Sequence, residues 1–433
     1  MFFLKILLAK AINFISQALK LGSGSTWPGH FILQIDKNII EKILKKNPHL
    51  KIIIITGTNG KTTTTSMLKY SLEKLGKKVF SNQEGANLIN GIASILLKKS
   101  DFFGSLNYDF ALFEVDEFNL PLVLEKLTPN VLILLNLFRD QLDRYGEVNT
   151  IGSRWFQAIE EIKKNFLIVA NGDDPYIFYN VSKLSQQKIF FGISKKLMKL
   201  KKIPHDVDFI YCPNCQSPLN YNAISYSHLG DFDCPKCQFK RSKTLEDFSQ
   251  IKINYPLAGI YNMYNAHAVL ATVKSLFNFK NFKNLLKNFQ SPFGRQEKIN
   301  YQNRIFFILL SKNPAGFNQS LKTIKRILRH KKAIFFIILN NRIPDGRDVS
   351  WIWDTDIKII KNNAKKIFVA GDRVYDMALR FKSENMKTTN FESYQRAVKE
   401  IIKRTKKNEV IYVLPTYSAM LELRKFLIGK KFI

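Results

Sequence analysis

The clearest chemistry in the chain lies in the run Gly57-Thr-Asn-Gly-Lys-Thr62, which follows the apolar stretch Lys51-Ile-Ile-Ile-Ile55. A strand, a glycine-rich turn and a Lys-Thr pair opening a helix form a phosphate-binding loop, where backbone N–H groups hold anionic oxygens. Lys61 is expected to contact the β- and γ-phosphates of ATP, and the Thr62 hydroxyl to bind magnesium. The predicted loop residues are Gly57, Thr58, Asn59 and Gly60. A glycine turn with a chance lysine is the alternative interpretation.

The four cysteines of the chain form a second chemical signature. Cys212 and Cys215 make one Cys-x-x-Cys pair, Cys234 and Cys237 make another, and 18 residues separate the two pairs. Four thiolates at this spacing surround one cation tetrahedrally, so the pattern predicts a structural zinc site in an insertion at about residues 205–245. Free thiols in a loop are the alternative. All four cysteines are thereby used, which leaves no thiol as a catalytic nucleophile.

Two histidines, His205 and His228, lie near the cysteine pairs and are expected to be surface groups.

Composition sets the broader limits. A chain of 433 residues that is 45% hydrophobic is expected to fold into two or three domains. The net charge of +32 suggests an anionic partner such as nucleic acid or a membrane, but the lysines are spread along the chain, which favours compositional bias. Residues 1–20 are apolar but interrupted at Lys5 and Lys10, too soon for a spanning helix. This segment is predicted to pack on the body or to lie at a membrane surface, and the protein to be cytoplasmic.

Alternating strand and helix patterns position these groups. Thr62–Leu75 is predicted as the helix after the loop, and β-rich runs recur on both sides of the cysteine segment. Parallel strands of this kind place their ligands at the carboxyl edge of the sheet. The predicted strands are Ala111–Val115, Val131–Leu137, Phe166–Ala170, Ile305–Leu310, Ala333–Leu339, Lys366–Ala370 and Val410–Leu414. The predicted domains are a helical segment at 1–48, an ATP-binding domain at 49–298 and an α/β domain at 299–433.

The phosphate loop and three later motifs resemble, in type and order, those of the Mur ligase superfamily. These motifs are Asn171-Gly-Asp-Asp-Pro175, Gly259-Ile-Tyr-Asn-Met-Tyr-Asn265 and Phe293-Gly-Arg295. More narrowly, the chain is similar to the MurT-type ligase subunits of lipid II isoglutaminyl synthase. The segments that carry this likeness are the cysteine pairs, Gly22–Gly29, Asn136–Glu147, Lys312–Gly316, Asp345–Asp354 and Leu414–Leu421. The resemblance implies an α/β fold with a Mur ligase-like central P-loop domain, a zinc-ribbon insertion and a Rossmann-like C-terminal domain.

The resemblance also implies a reaction. ATP would activate the α-carboxylate of D-glutamate in the lipid II stem peptide as an acyl phosphate, which ammonia converts to D-isoglutamine. Ammonia would come from a GatD-like glutamine amidotransferase in a heterodimer. The implied cofactors are ATP, Mg²⁺ and a structural Zn²⁺, and no nucleic acid is expected as a partner.

Further site residues follow from position. Glu114 ends a buried strand and is expected to contact magnesium, unless it is a surface carboxylate. Asn265, with Asn262, is expected to read the adenine edge, because an amide both donates and accepts; helix packing is the alternative. Asp174 and Arg295 are predicted to face the nucleotide.

One carboxylate in the last domain is predicted to be catalytic. Asp348 lies in a loop after the strand Ala333–Leu339. By resemblance it orients ammonia and substrate, or completes a Cys-His pair of the amidotransferase. Asp345 and Asp354 are its rivals, and an Asx turn is the structural alternative.

Departures from the family pattern separate the competing functions. Gln141 and Trp155 stand where many Mur ligases carry a magnesium-binding histidine and a carbamylated lysine, which puts a second magnesium site in doubt. Only about 50 residues precede the phosphate loop, too few for a UDP-sugar-binding domain. These features count against an amino-acid-adding Mur ligase or a folylpolyglutamate-type ligase. A zinc-ribbon ATPase that binds nucleic acid is the alternative from another class.

Overall fold

The computed structural model describes residues 2–18, 26–82, 86–139, 148–200, 203–204, 207–251 and 253–429. His205, Gln141 and parts of the segments Gly22–Gly29 and Asn136–Glu147 lie outside these ranges. Among the described helices, none combines the length and the apolar character needed to cross a membrane.

Three helices form an N-terminal layer, and the apolar residues that face the protein body account for its packing. They are α1 (Phe2–Ala18), α2 (Trp27–Ile35) and α3 (Ile39–Lys46). Ile6, Ile32 and Ile40 are buried in one core with residues of the central domain. The layer is therefore part of the folded body.

The central domain is built on a six-stranded parallel sheet, as the alternating pattern predicts. Its strands are β1 (Lys51–Thr56), β2 (Val79–Ser81), β3 (Phe110–Glu114), β4 (Val131–Leu134), β5 (Leu167–Asn171) and β6 (Gln187–Phe191). Its helices are α4 (Lys61–Lys74), α5 (Ile89–Lys99), α6 (Leu120–Lys126), α7 (Val148–Glu160) and α8 (Pro175–Lys183). The strand order β2-β3-β1-β4-β5-β6 places β1 between β3 and β4. Strand order reverses at β1, so the loop after it opens at the switch point where α/β sheets bind ligands.

The cysteine segment forms a small hairpin, β7 (Asn220–Tyr226) and β8 (Leu229–Asp233), as an insertion after the first sheet. Helix α9 (Ile260–Phe277) then returns to the central domain. Its buried residue Ala268 belongs to the same core as Leu68 and Leu72 of α4. The two Asn candidates are thereby brought beside the phosphate loop.

The C-terminal domain is a second six-stranded sheet with order β13-β12-β11-β14-β10-β9. Its strands are β9 (Arg295–Tyr301), β10 (Arg304–Leu309), β11 (Ala333–Ile338), β12 (Ala364–Ala370), β13 (Thr389–Phe391) and β14 (Val410–Pro415). Its helices are α10 (Pro314–Leu328), α11 (Val374–Lys382), α12 (Tyr394–Lys403) and α13 (Tyr417–Ile428). Only β9 runs antiparallel among the paired strands described in this sheet. The boundary expected at residue 298 falls inside β9, whose pairing joins it to this second sheet.

Candidate active site

The phosphate loop connects β1 to α4 and is held open by two glycines in the left-handed region. Gly57 has φ of 140° and Gly60 has φ of 93°. A Cβ atom at Gly60 would lie 2.2 Å from the Oδ1 atom of Asn265, and one at Gly57 would lie 2.9 Å from the Cβ of Leu135. Only glycine fits at both positions, so the backbone forms a narrow cradle.

Asn136, two residues after β4, fixes the two residues between these glycines. The N–H of Asn59 donates to Asn136 Oδ1 at 2.9 Å, and Asn136 Nδ2 donates back to the Asn59 carbonyl at 3.0 Å. The N–H of Thr58 donates to the Asn136 carbonyl at 2.9 Å. This support was not predicted, because Asn136 lies far from the loop in sequence.

Lys61 forms a buried ion pair with Glu117. Its Nζ lies 2.7 Å from Glu117 Oε2 and also donates to the carbonyl oxygen of Gly57 at 2.6 Å. Burial alone would raise the pKa of Glu117, but the charges of Lys61 and Lys312 outweigh that effect and hold the pKa below its ordinary value. Trp155 is fully buried, and its indole N–H donates to the Glu117 carbonyl at 2.5 Å.

Glu117 is a site residue that the sequence prediction missed. The signal available was the acidic run Glu-Val-Asp-Glu at 114–117, directly after a buried strand.

Thr62 and Glu114 lie side by side, as the magnesium prediction requires. The Thr62 hydroxyl donates to Glu114 Oε1 at 3.0 Å, and Asn82 brackets the Glu114 backbone with bonds of 2.8 and 2.9 Å. Burial raises the pKa of Glu114, and the charge of Lys61 partly offsets this. A hydroxyl and a carboxylate beside a phosphate cradle are the oxygen donors that Mg²⁺ prefers. Asp116 lines the cleft that is also lined by Lys61, Thr62 and Glu114.

A smaller pocket next to the loop contains the predicted adenine-binding residues. Asn262 and Asn265 line it together with Asn59, Gly60 and Arg295. The Asn265 Nδ2 donates to Asn262 Oδ1 at 3.2 Å. Arg295 also borders the neighbouring cleft that Lys61, Thr62 and Glu114 line, so it lies between the two pockets.

Gln319 is a polar residue of this pocket that the sequence prediction missed. It lies on α10 of the C-terminal domain and lines the pocket while only 4% exposed. Its buried Nε2 has no hydrogen-bond partner among the described residues. Buried donors are ordinarily satisfied, so an unpartnered amide in this pocket fits a ligand with an acceptor edge, such as adenine.

Asp174 has a different position from the one predicted. Its carboxylate caps α8 by accepting from Tyr176 N and Ile177 N, both at 3.1 Å, and it also accepts from Leu137 N. It is fully buried and lies in neither pocket. Geometry therefore gives Asp174 a capping role and separates it from the other residues predicted to face the nucleotide.

His228 is buried, so the expectation that it is a surface group is wrong. Its Nε2 lies 3.3 Å from Asp174 Oδ2, and its ring packs 4.9 Å from those of Phe138 and Phe209. The β7-β8 hairpin turns inward at this point, which the sequence pattern did not reveal.

The three carboxylates considered in the last domain differ in setting. Asp348 is exposed and accepts from the N–H and Oγ of Ser350, both at 2.8 Å, as an Asx turn does. Asp345 is buried and bonds to Ser418. Asp354 lies 3.5 Å from Arg139 of the central domain. Asp348 thus combines a fixed carboxylate with access from outside.

The four cysteines converge as a zinc site requires. The Sγ atoms of Cys212 and Cys237 lie 3.6 Å apart, those of Cys215 and Cys234 lie 3.4 Å apart, and all four fall within 4.8 Å of one another. A tetrahedron with Zn–S bonds of about 2.3 Å has sulfur separations of roughly 3.8 Å. Backbone and side-chain hydrogen bonds from Ser217 lower the pKa of Cys215 to about 6, which favours the thiolate.

The two cysteine turns have the same local geometry. Gln216, after the first pair, has φ of 60°, and Gln238, after the second, has φ of 59°. The N–H of Gln216 donates to the Cys212 carbonyl at 2.9 Å, and that of Gln238 donates to the Cys234 carbonyl at 3.1 Å. The donor set and the repeated turn both fit a structural zinc ion.

Comparison with known proteins places this geometry in a family. Residues 55–273 match the Mur ligase middle domain, and residues 310–420 match the MurT ligase C-terminal family. The fold is similar to that of a pseudomurein peptide ligase type C from Methanothermus fervidus, with TM-score 0.65 and 24% identity over 90% of this chain and 80% of that one. It is also similar to MurF ligase from Thermotoga maritima in complex with ADP, with TM-score 0.62 and 16% identity over 93% and 83% of the two chains.

Two relatives in sequence cover most of the chain. One is the lipid II isoglutaminyl synthase (glutamine-hydrolyzing) subunit MurT of Streptococcus pneumoniae, 31% identical over 96% of this chain and 94% of the relative. The other is the protein of the same name from Staphylococcus aureus, 31% identical over 83% of each chain. The chain therefore belongs to the MurT family of Mur ligase-like proteins.

Proposed function

We propose that this chain is the ligase subunit of a lipid II isoglutaminyl synthase. It uses ATP to amidate the α-carboxylate of D-glutamate in the lipid II stem peptide, which yields D-isoglutamine. The observation that carries the proposal is the Lys61–Thr62–Glu114 phosphate cradle in a chain that is 31% identical to named MurT subunits over nearly its whole length.

The proposed chemistry overcomes a poor leaving group. A carboxylate oxygen of the substrate attacks the γ-phosphorus of ATP, the bond to the β-phosphate oxygen breaks, and ADP leaves. Ammonia then attacks the carbonyl carbon of the acyl phosphate, the C–O bond breaks, and phosphate departs with its electron pair while nitrogen loses a proton. The contribution of the protein is positioning and charge neutralisation.

Each step has residues suited to it. Lys61 neutralises charge on the β- and γ-phosphates, and Thr62 and Glu114 supply oxygens to Mg²⁺. Asn262, Asn265 and Gln319 contact the adenine edge, and Arg295 borders both halves of the nucleotide.

Ammonia is supplied by a GatD-like glutamine amidotransferase in a heterodimer. The support is that the relatives are named as subunits of a glutamine-hydrolyzing enzyme, and that all four cysteines of this chain converge on one metal site. Because lipid II is anchored in the bilayer, we place the reaction at the inner face of the plasma membrane.

The proposal is tested by measuring ADP release from the purified chain with ATP, lipid II and ammonium chloride. ADP and amidated lipid II are expected in equal amounts, and the chain alone is expected to lack glutaminase activity. DNA should not stimulate ADP release. Stimulation by DNA and not by lipid II, or ADP release with lipid II and an added amino acid but not with lipid II and ammonium, would overturn the proposal.

Asp348 is proposed as the catalytic carboxylate of the last domain. Because it is exposed, Asp348→Asn should change the free energy of unfolding by less than about 0.5 kcal/mol, yet lower glutamine-dependent amidation by roughly 100-fold. Asp356→Asn, a matched exposed carboxylate of the same domain, should leave amidation unchanged. If the Asp348→Asn enzyme amidates normally, Asp348 only stabilises its turn and takes no part in the reaction.

The same variant distinguishes the two proposed roles of Asp348. If Asp348 acts through the active site of the amidotransferase, free ammonium should restore amidation in Asp348→Asn. If Asp348 orients ammonia at the acyl phosphate, ammonium should give no rescue.

A further inference from the structure

Helix α1 buries apolar residues such as Ile6 and Ala9 against the body, but its solvent side is also apolar, unlike that of an ordinary surface helix. Lys5 points inward, where its Nζ lies 2.6 Å from Oδ2 of the buried Asp36. Six large apolar side chains of α1 point outward, each at least 43% exposed: Phe3, Leu4, Leu7, Leu8, Phe14 and Ile15. Helix α1 thus pairs Lys5 with a buried carboxylate, while its outer face leaves phenylalanine and leucine side chains largely exposed in the described part of the chain.

Exposed apolar side chains also occur on two segments next to α1 in the chain fold. On α2, Trp27, Phe31 and Ile35 recur every four residues and are 48%, 41% and 59% exposed, so they form one stripe. Phe102 and Phe103 follow α5, and their rings lie 6.1 and 6.0 Å from that of Phe3. We call the six residues of α1 and these five residues the apolar face. Apolar patches of this kind mark contact sites on proteins.

Cationic groups border the apolar face and carboxylates are scarce. Helices α1 and α2 contain no acidic residue. Lys10 lies 5.1 Å from the Phe102 ring centroid, and Lys46 donates to the Phe103 carbonyl. Asp36 is paired with Lys5 and Lys42, and Asp101 accepts from backbone N–H groups of its own loop.

From these observations we propose that the apolar face is a docking surface for an anionic lipid bilayer. Tryptophan, phenylalanine and leucine beside lysines, on two helices that contain no acidic residue, match the interfacial region of a membrane, where apolar side chains enter the acyl boundary and cations meet lipid headgroups. A second copy of this chain is less suited, because two such faces would bring lysines against lysines. The inference rests on the proposed function, since it would hold the ligase beside a substrate anchored in lipid.

Vesicle binding tests the inference with the full chain. It should sediment with vesicles that contain equal amounts of phosphatidylglycerol and phosphatidylcholine. Its affinity for vesicles of phosphatidylcholine alone should be lower by roughly tenfold or more. The double variant Leu4→Gln with Phe14→Gln removes two exposed apolar groups at constant charge and should bind at least about tenfold more weakly. Leu379→Gln, a 54% exposed leucine on α11 of the other domain, is the matched control and should bind as the original chain does.

A second measurement avoids any doubt about folding. Brominated acyl chains quench tryptophan that enters the bilayer, so vesicles carrying them should quench Trp27 fluorescence. The conservative variant Trp27→Phe should still bind, with this quenching lost. Quenching that persists unchanged in Trp27→Phe would overturn the inference.

Failure of the inference is distinguishable from failure of the proposed function. If the chain amidates lipid II in detergent micelles but does not bind anionic vesicles, the docking surface is wrong and the proposed function stands. If light scattering shows a dimer that Leu4→Gln with Phe14→Gln converts to a monomer, without change in vesicle binding, the apolar face is a contact between copies and the lipid assignment fails.

Discussion

Lys61→Met should lower ATP-dependent amidation by roughly 10³-fold, the scale seen when a charge that stabilises a transferring phosphoryl group is lost. The reason is geometric as well as electrostatic. Lys61 is the first residue of α4, directly after the glycine cradle, and its ammonium reaches the cleft that Thr62 and Glu114 also line. Single-turnover measurement of ADP formation with lipid II and ammonium gives the effect on the chemical step, and ATP binding by calorimetry separates affinity from rate.

A loss of folding is the rival explanation for such a result, and the Glu117 ion pair provides the control. Methionine at position 61 leaves a buried carboxylate without its cation, which costs about 3–5 kcal/mol. The pair Lys61→Met with Glu117→Gln removes both charges and should recover most of that stability. It should remain inactive. Recovery of amidation together with stability would show that Lys61 acts only on folding.

Glu117→Gln alone adds a further distinction. Lys61 then keeps its bonds to the carbonyl oxygens of Gly57 and Thr58, so activity should persist at a reduced level. If Glu117→Gln were as inactive as Lys61→Met, the carboxylate itself would have to take part in the reaction.

Loss of the proposed zinc site should have the second-largest effect, and the effect should extend beyond the insertion. Zinc binding to such sites contributes roughly 10–16 kcal/mol to folding in isolated domains, so Cys215→Ser should destabilise the insertion by about 5 kcal/mol or more. Amide hydrogen exchange in the β7-β8 hairpin should accelerate by about 10³-fold or more. Metal analysis should find zinc in the original chain and little in the variant.

The effect should reach the nucleotide pocket through Asp173. Its buried carboxylate accepts from Arg241, just beyond the second cysteine pair, at 2.7 Å, and from the Tyr264 hydroxyl at 2.6 Å. Tyr264 precedes Asn265 on α9. Chelation of zinc should loosen Arg241 and so remove one of the two groups that hold the Asp173 carboxylate. The dissociation constant for ATP should therefore rise several-fold when zinc is chelated and fall again when zinc is restored.

Lys236→Ala is the matched control for the cysteine variant. Lys236 is exposed within the second cysteine turn and provides no thiol. Its replacement should leave zinc content, exchange rates and ATP affinity unchanged. Equal effects from Lys236→Ala and Cys215→Ser would attribute the change to the turn and not to the metal.

Features encoded within a few consecutive residues could be predicted from the sequence. The glycine spacing and the Lys61-Thr62 pair indicated the phosphate loop. Apolar runs indicated seven strands, six of them to within two residues at each end, whereas β4 ends three residues before the predicted Leu137. The cysteine spacing indicated the four-sulfur cluster that the structure contains. Short or partly exposed strands such as β2, β9 and β13 were missed, because their residues carry little hydrophobic periodicity.

Only the tertiary structure decided which distant side chains meet. Lys61 pairs with Glu117 because β1 and β3 are neighbours in the sheet. The sequences of these two strands do not indicate that they are neighbours. Gln319 reaches the pocket because the second domain packs against the loop, where Asn313 Nδ2 lies 3.2 Å from Asn59 Oδ1. Local sequence fixes backbone propensity, helix caps and metal-ligand spacing, whereas long-range packing decides whether Asp174 lines a pocket and whether Asp348 is open to a partner.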